Sequence, residues 1–225
     1  PREKSEQGLI EFANEVMDNK GILFIPSFSV ERSQEIACVL KNANFQHQVV
    51  MDGMALKVND IMFRYPEYLK NINIFSDAIN DAFLVRDHSD RKRAITKPCV
   101  VISPAGMLVG GNAIYYMQKL AFNDKNGIAM VSYQGEGTPG KKLLETGKIL
   151  VDGKEMKVKA PVKQFQFSGH ADRDSLFDLI KNIKGSPKVL TVHGDNESCI
   201  KFAEEIQEKF GLDAYSPKLG EEISV

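Results

Sequence analysis

The sequence predicts an α/β fold in which amphipathic helices cover both faces of a parallel sheet. Short runs of almost continuous apolar residues, such as 21–25, 99–102 and 127–133, have the length of strands. Stretches with apolar residues at helical spacing separate these runs, beginning with 3–17. Strands that are apolar throughout need cover on each face, and helices between consecutive strands provide it.

The expected elements follow one another in a regular order. A helix over 3–17 ends at Asn19-Lys20-Gly21, and Pro26 is expected to stop the first strand. The next elements are expected at 36–43 (helix), 48–51 (strand), 54–64 and 67–82 (mostly helix), 99–102 (strand), 114–121 (helix) and 127–133 (strand). Two further strands, at 162–167 and 188–192, each precede a helical pattern.

A predicted β-hairpin interrupts this alternation. The stretches 148–151 and 154–158 flank Asp152-Gly153, a dipeptide that is typical of a tight turn. A domain boundary is expected just after the hairpin. The sequence therefore predicts one domain over residues 1–160 and a second over residues 161–225.

Composition excludes several classes of protein. The 225 residues carry a formal net charge of −1, so no overall field attracts nucleic acid or a membrane. Cys38, Cys99 and Cys199 form neither a C-x-x-C motif nor a disulfide framework, which indicates a reducing, cytoplasmic setting. No apolar run approaches the length of a membrane-spanning helix, so no membrane partner is expected.

Two histidines occupy matching positions after predicted strands. His170 lies in Ser168-Gly169-His170-Ala171-Asp172, and His193 begins His193-Gly194-Asp195. If the two strands lie in one sheet, both imidazoles emerge at the same edge, where open α/β sheets place their sites. Each could be a metal ligand, a general acid or base, or a packed residue, and Asp172 could be a plain helix cap. A complete metal site needs three or four ligands, which the local motifs do not supply.

Several turns between strands and helices could contact phosphate. Residues 135–141 have the spacing of a P-loop, but Lys142 replaces the final Ser/Thr and Pro139 has no N–H to offer. Two other interpretations of residues 135–141 stay open, namely a turn that contacts phosphate more loosely and a purely structural turn. Ser103 opens a second such turn, and Arg32 lies in the first turn of a helix, where it could grip phosphate or pair with a glutamate.

Five stretches together resemble the β-CASP family, the RNA-processing members of the metallo-β-lactamase superfamily. The stretches occur in the family's order and span nearly the whole chain. They are 21–35 (GILFIPSFSVERSQE), 100–107 (VVISPAGM), 132–140 (SYQGEGTPG), 167–172 (FSGHAD, similar to motif B) and 192–195 (VHGD, similar to motif C).

The resemblance implies a role for each matching residue. His193 would be a zinc ligand, and His170 would act as general acid toward the leaving oxygen. Ser168 and Gly169 would contact phosphate. The implied RNA path would involve Arg32, Ser103, Gly135, Gly137 and Thr138. The implied reaction is hydrolysis of RNA phosphodiester bonds with two zinc ions.

The chain departs from the family pattern in one large respect. The family's H-x-H-x-D-H signature and its motif A carboxylate are absent. The resemblance therefore implies a β-CASP domain followed by the last strand-helix units of a lactamase domain. Such a chain is expected to be inactive until an upstream lactamase half completes it. RNA, that half and a second copy in a homodimer are the expected partners. The alternatives are a non-catalytic RNA-binding or dimerisation module and a P-loop-like nucleotide-binding protein.

Overall fold

The computed structural model describes residues 2–151 and 153–223, and these divide into two compact units. The first unit is Pro1–Ser168 and the second is Gly169–Val225. Asp152, in the predicted hairpin turn, lies outside the described residues. The predicted domain boundary near residue 160 stays a prediction.

The first unit is built on a six-stranded parallel sheet, as the apolar strands predicted. Its order is β3-β2-β4-β1-β5-β8. The strands are β1 (Ile22–Ser27), β2 (Val49–Met51), β3 (Phe83–Leu84), β4 (Cys99–Pro104), β5 (Gly127–Met130) and β8 (Val162–Gln164). The sequence did not predict β3, because two residues are too short to show a period.

Helices alternate with these strands and lie on both faces of the sheet. In chain order they are α1 (Arg2–Asp18), α2 (Arg32–Asn42), α3 (Met54–Arg64), α4 (Ile72–Asp81), α5 (His88–Ala94), α6 (Asn112–Leu120) and α7 (Pro139–Thr146), with a short 3-10 helix at Pro66–Tyr68. The antiparallel hairpin of β6 (Lys148–Val151) and β7 (Lys154–Lys157) follows, as predicted.

Successive residues of each central strand face opposite sides of the sheet, so the unit has two apolar layers. Leu23, Ile25 and Ile102 pack in one layer with residues of α1, α2 and α4. Phe24 and Val101 pack in the other with residues of α5, α6 and α7. Burial on both faces explains why these strands are apolar throughout.

Strand β1 continues through the proline that was predicted to stop it. Pro26 pairs in register with Ser103 of β4, and the strand ends at Ser27. Pairing with β5 on the other side involves only Leu23 and Phe24. Proline is tolerated because it lies beyond that ladder, where a missing N–H removes no hydrogen bond to β5.

A short helix lies within the charged stretch 86–97. Helix α5 begins after Asp87, whose side chain accepts a hydrogen bond from the Asp90 amide at 2.8 Å. Its last residue, Ala94, is buried in the layer that contains Val101. The sequence shows no apolar helical pattern here, because only one of the seven residues of this helix is buried.

The second unit is a small α/β layer. It contains α8 (Arg173–Lys181), β9 (Val189–Leu190), α9 (Asn196–Phe210) and β10 (Ala214–Tyr215), and the two strands pair in parallel. Phe177 of α8 lies 5.0 Å from Phe202 and 5.9 Å from Phe210 of α9, measured between ring centroids. These aromatic contacts join the two helices in one apolar cluster.

Among the described residues, the helices include none with the combined length and apolar character that crossing a bilayer demands.

Candidate functional site

The carboxyl edge of the six-stranded sheet gathers polar side chains and helix N-termini. Chain direction reverses there: α2 leads from β1 toward β2 and β3, whereas α6 leads from β4 toward β5. Strands β1 and β4 are neighbours, so the loops after them diverge from a single point. Open α/β sheets place ligands in the crevice at such a switch point.

Ser103 lies at this edge, at the end of β4, but its side chain points away from solvent. The residue is fully buried, and its hydroxyl lies 3.4 Å from the Pro104 carbonyl oxygen. In this conformation a phosphate could meet the backbone of the following turn but not the Ser103 side chain.

Arg32 is committed largely to structural contacts. Its side chain is 15% exposed, and Nη1 lies 3.0 Å from a Glu35 oxygen but outside hydrogen-bonding geometry. The guanidinium also lies over the Phe167 ring, 5.6 Å from its centroid, and Arg2 lies over the same ring at 4.7 Å. Phe167 immediately precedes Ser168, so Arg32 is packed against the segment that presents this serine.

The turn after β5 is held by a buried amide. Gln134 donates hydrogen bonds from Nε2 to the carbonyls of Gly106, at 2.8 Å, and Ser132, at 2.9 Å. The turn is thereby tied to the loop after β4. Sequence reasoning overlooked Gln134, and the only signal for it was a polar residue close behind a predicted strand.

This geometry disfavours a nucleotide P-loop at residues 135–141. The Gly140 amide donates to the Met107 carbonyl at 3.0 Å, so it is not free for phosphate. The Thr138 hydroxyl donates to the Gly135 carbonyl at 2.7 Å and caps α7. The Lys141 ammonium pairs with Glu136 at 3.2 Å and Glu145 at 3.5 Å. Gly137, by contrast, has φ +74° and open space around it.

The most extensive polar network at this edge is centred on Asp52, which the sequence patterns did not indicate. Asp52, directly after β2, is 1% exposed and accepts hydrogen bonds from two nitrogens of Arg91, at 2.5 and 2.9 Å. Asn112 of α6 donates to it at 3.0 Å and the Tyr116 hydroxyl at 2.8 Å. Burial, with Asp52 next to it, raises the pKa of Tyr116, so the phenol stays protonated and donating.

The two candidate histidines do not follow strands of one sheet. Strand β8, before His170, belongs to the six-stranded sheet, whereas β9, before His193, pairs with β10. The condition for a shared sheet edge is therefore not met. Ser168, Gly169 and His170 are exposed, and so is His193.

Asp172 acts as the N-cap of α8. Its side chain accepts hydrogen bonds from the Ser175 amide at 2.9 Å and the Ser175 hydroxyl at 2.7 Å. The hydrogen bond from the Ser175 backbone amide is the largest cause of the lowered pKa of the Asp172 carboxyl group. Asp172 therefore makes the contacts of a helix cap, which was one of the roles that its sequence position allowed.

His193 has an unusual backbone conformation, with φ +66°. Residues other than glycine rarely adopt this left-handed region, and those that do are concentrated at functional sites. The described residues contain no group of three or more His, Cys, Asp or Glu side chains able to hold a metal ion.

Comparison with known proteins identifies both parts of the chain. Residues 33–143 match the Beta-Casp domain, and residues 155–217 match the Zn-dependent metallo-hydrolase RNA specificity domain. The chain belongs to the β-CASP family of the metallo-β-lactamase superfamily, as its motifs suggested.

Three archaeal proteins with curated names are similar to the chain. The chain is 38% identical over its full length to RNase aCSPSF2 of Saccharolobus solfataricus, of which it covers 45%. It is 32% identical over its full length to Probable RNase MJ4 of Methanocaldococcus jannaschii, covering 53%. Over 96% of its length it is 34% identical to Transcription termination factor FttA of the same organism, covering 38%. The chain thus spans about half the length, or less, of these relatives.

Proposed function

We propose that this chain forms the RNA-binding part and one side of the catalytic site of a zinc-dependent RNA-processing ribonuclease. An upstream metallo-β-lactamase half completes the enzyme. The observation that carries the proposal is the left-handed backbone of His193, in a chain that belongs to the β-CASP family. A residue other than glycine keeps this conformation only where its surroundings hold it there, and such residues cluster at active sites.

The second unit supplies the chemistry in this proposal. His193 contributes one zinc ligand, and His170 gives a proton to the leaving oxygen of the RNA. The exposure of Ser168, Gly169 and His170 supports direct contact with a phosphate. When bound in the complete enzyme, two zinc ions would supply the attacking hydroxide and offset the negative charge of the phosphate.

The first unit guides the RNA. Gly135, Gly137 and the backbone after Ser103 are assigned to phosphate contact, supported by the open space around Gly137. Thr138 contributes by capping α7 in that turn. Arg32 is assigned a positioning role, because it lies against Phe167 in front of Ser168. The proposed setting is the cytoplasm, in RNA 3′-end processing, RNA decay or transcription termination, as a monomer or homodimer.

A non-catalytic RNA-binding module is the second candidate. It is favoured by the lack of a metal-binding group among the described residues. Under this alternative, the chain binds RNA but contributes nothing to cleavage when joined to a lactamase half.

The chain alone is expected to hold no stoichiometric zinc at neutral pH. A tight zinc site needs three or four ligands, and the described residues do not bring such a group together. Elemental analysis after dialysis against a zinc buffer measures the bound metal. Two tightly held ions per chain would contradict the expectation that another half completes the site.

The chain joined to an upstream lactamase half is expected to cleave single-stranded RNA only when zinc is present. His193→Ala should lower both zinc content and cleavage, the latter by about 100-fold or more, since loss even of groups that only orient metal ligands costs 10- to 100-fold. His47→Ala is the matched control, because His47 is exposed and lies near the start of β2, at the edge of the sheet opposite the one assigned to RNA. Undiminished cleavage by the His193 variant would contradict the proposal that His193 is a zinc ligand.

A further inference from the structure

Two exposed aromatic side chains stand directly after neighbouring strands of the six-stranded sheet. Phe28 follows the end of β1 and is 42% exposed, and Tyr133 lies in the loop after β5 and is 70% exposed. Strands β1 and β5 pair in parallel, so both loops lie at the carboxyl edge. The ladder between these strands ends at Phe24 and Ile128, and Phe28 and Tyr133 lie farther along the chain, beyond it.

Gly106, in the loop after β4, brings the two loops into contact. A Cβ built on Gly106 would lie 2.6 Å from the Ser132 hydroxyl and 3.2 Å from the Ser27 carbonyl carbon. Ser27 and Ser132 are the residues that precede Phe28 and Tyr133. Only glycine permits this approach, so the two aromatic residues flank one closely packed point.

The surroundings of these aromatic residues suit an anionic chain. Helices α3 and α6 begin at this edge, and none of the described side chains caps their N-termini. Their first amides therefore carry partial positive charge toward the edge. Gly110 and Gly111, before α6, have open space where a side chain would stand. Phosphate groups can approach such a backbone closely.

One buried polar group at the same point lacks a partner. The Ser132 residue is 5% exposed, and its hydroxyl makes no hydrogen bond within the described structure. A buried hydroxyl without a partner is costly, and a bound water, an ion or a functional role usually accounts for such a group. This hydroxyl lies between the two loops that carry Phe28 and Tyr133.

We propose that Phe28 and Tyr133 form a stacking platform for unpaired nucleobases, with the adjoining RNA phosphates at the uncapped helix N-termini. Stacking on aromatic rings combined with favourable electrostatics is the general way in which proteins hold single-stranded nucleic acid. The platform selects single-stranded RNA, because paired bases do not offer their faces. This inference rests on the proposed function, in that RNA is the ligand.

The platform can be tested with a single tryptophan, since the sequence contains none. Tyr133→Trp places the only tryptophan at the platform, where its 70% exposure makes misfolding no obstacle. Titration of the chain with a ten-residue oligouridylate should quench its fluorescence saturably. The same titration with a ten-base-pair RNA duplex should leave the fluorescence unchanged.

Tyr68→Trp is the matched control. Tyr68 is 83% exposed and follows the far end of α3, a helix that is about 16 Å long and begins at the carboxyl edge. Its tryptophan should not respond to the oligouridylate. Equal quenching of both variants, or quenching of neither, overturns the platform.

Affinity measurements separate base stacking from other contacts. Tyr133→Ala should weaken binding of labelled oligouridylate by about 5- to 150-fold, whereas Tyr133→Phe should bind like the parent chain. An abasic decamer should bind both variants equally, because it has no bases to stack. An equal loss for the abasic decamer overturns the platform.

A protein surface is the competing occupant, because Val30 and Val109 are also exposed in these loops. A tryptophan signal that responds to an added lactamase half but not to oligouridylate would replace the platform with a protein interface. Cleavage by the completed enzyme does not depend on this signal. Absent quenching with intact, zinc-dependent cleavage would therefore overturn the platform and leave the proposed function standing.

Discussion

Replacing Asp52 with Asn should lower the free energy of unfolding of the first unit by about 3 kcal/mol. Asp52 is 1% exposed and accepts hydrogen bonds from Arg91, Asn112 and Tyr116. The substitution keeps the shape but leaves the guanidinium without its counter-charge and turns one acceptor into a donor that faces other donors. The lower end of the usual range is expected, because Arg91 keeps 17% of its side chain in solvent.

Urea denaturation followed by circular dichroism measures this loss. Asp81→Ala is the matched control, because Asp81 pairs with Lys41 while 67% exposed, and such a pair contributes less than about 1 kcal/mol. Tyr116→Phe removes only one donor and should cost about 1 kcal/mol. Equal stability of the Asp52 and Asp81 variants would show that the network does not hold the edge of the sheet together.

Replacing His170 with Ala should slow RNA cleavage by the completed enzyme by about 100- to 10,000-fold. The loss should lie in kcat, because a general acid acts in the transition state and adds little to substrate binding. His170 is exposed, so added imidazole can reach the vacated position and should restore part of the rate. RNA affinity and zinc content should stay within twofold of the parent enzyme.

His47→Ala is the control for that experiment. His47 is exposed and contacts Phe45, with ring centroids 5.3 Å apart, near the start of β2 at the opposite edge of the sheet. Its loss should leave the rate unchanged. Unchanged cleavage by the His170 variant would refute a proton transfer by His170, and a slow rate caused by lost RNA binding would reassign it to substrate contact.

Periodicity and strand-end patterns were sufficient for the main sheet. The apolar runs that became β1, β4 and β5 needed two covered faces, and this requirement is local to each run. The family could be inferred because its motifs keep residue types and order. The helix at His88–Ala94 could not be inferred, because only one of its residues is buried. The end of β1 at Ser27 could not be inferred either, because pairing with β4 decides it.

The candidate site was predicted in part. The positions of His170, His193 and Arg32 were found from the sequence, but the contacts of Arg32 with Glu35 and Phe167 were not. Asp52 and Gln134 were not predicted from the sequence, for the same reason. Each is a polar residue after a strand, and each has a partner that lies at least 28 residues away in the chain.

The sequence by itself determined the class of fold, the order of its elements and the family. These follow from patterns within a few residues and from motifs that can be compared one by one. Only the tertiary structure decided which polar groups are buried and that Phe28 and Tyr133 follow neighbouring strands. Those facts depend on contacts between distant parts of the chain, which the folded arrangement of strands and helices alone creates.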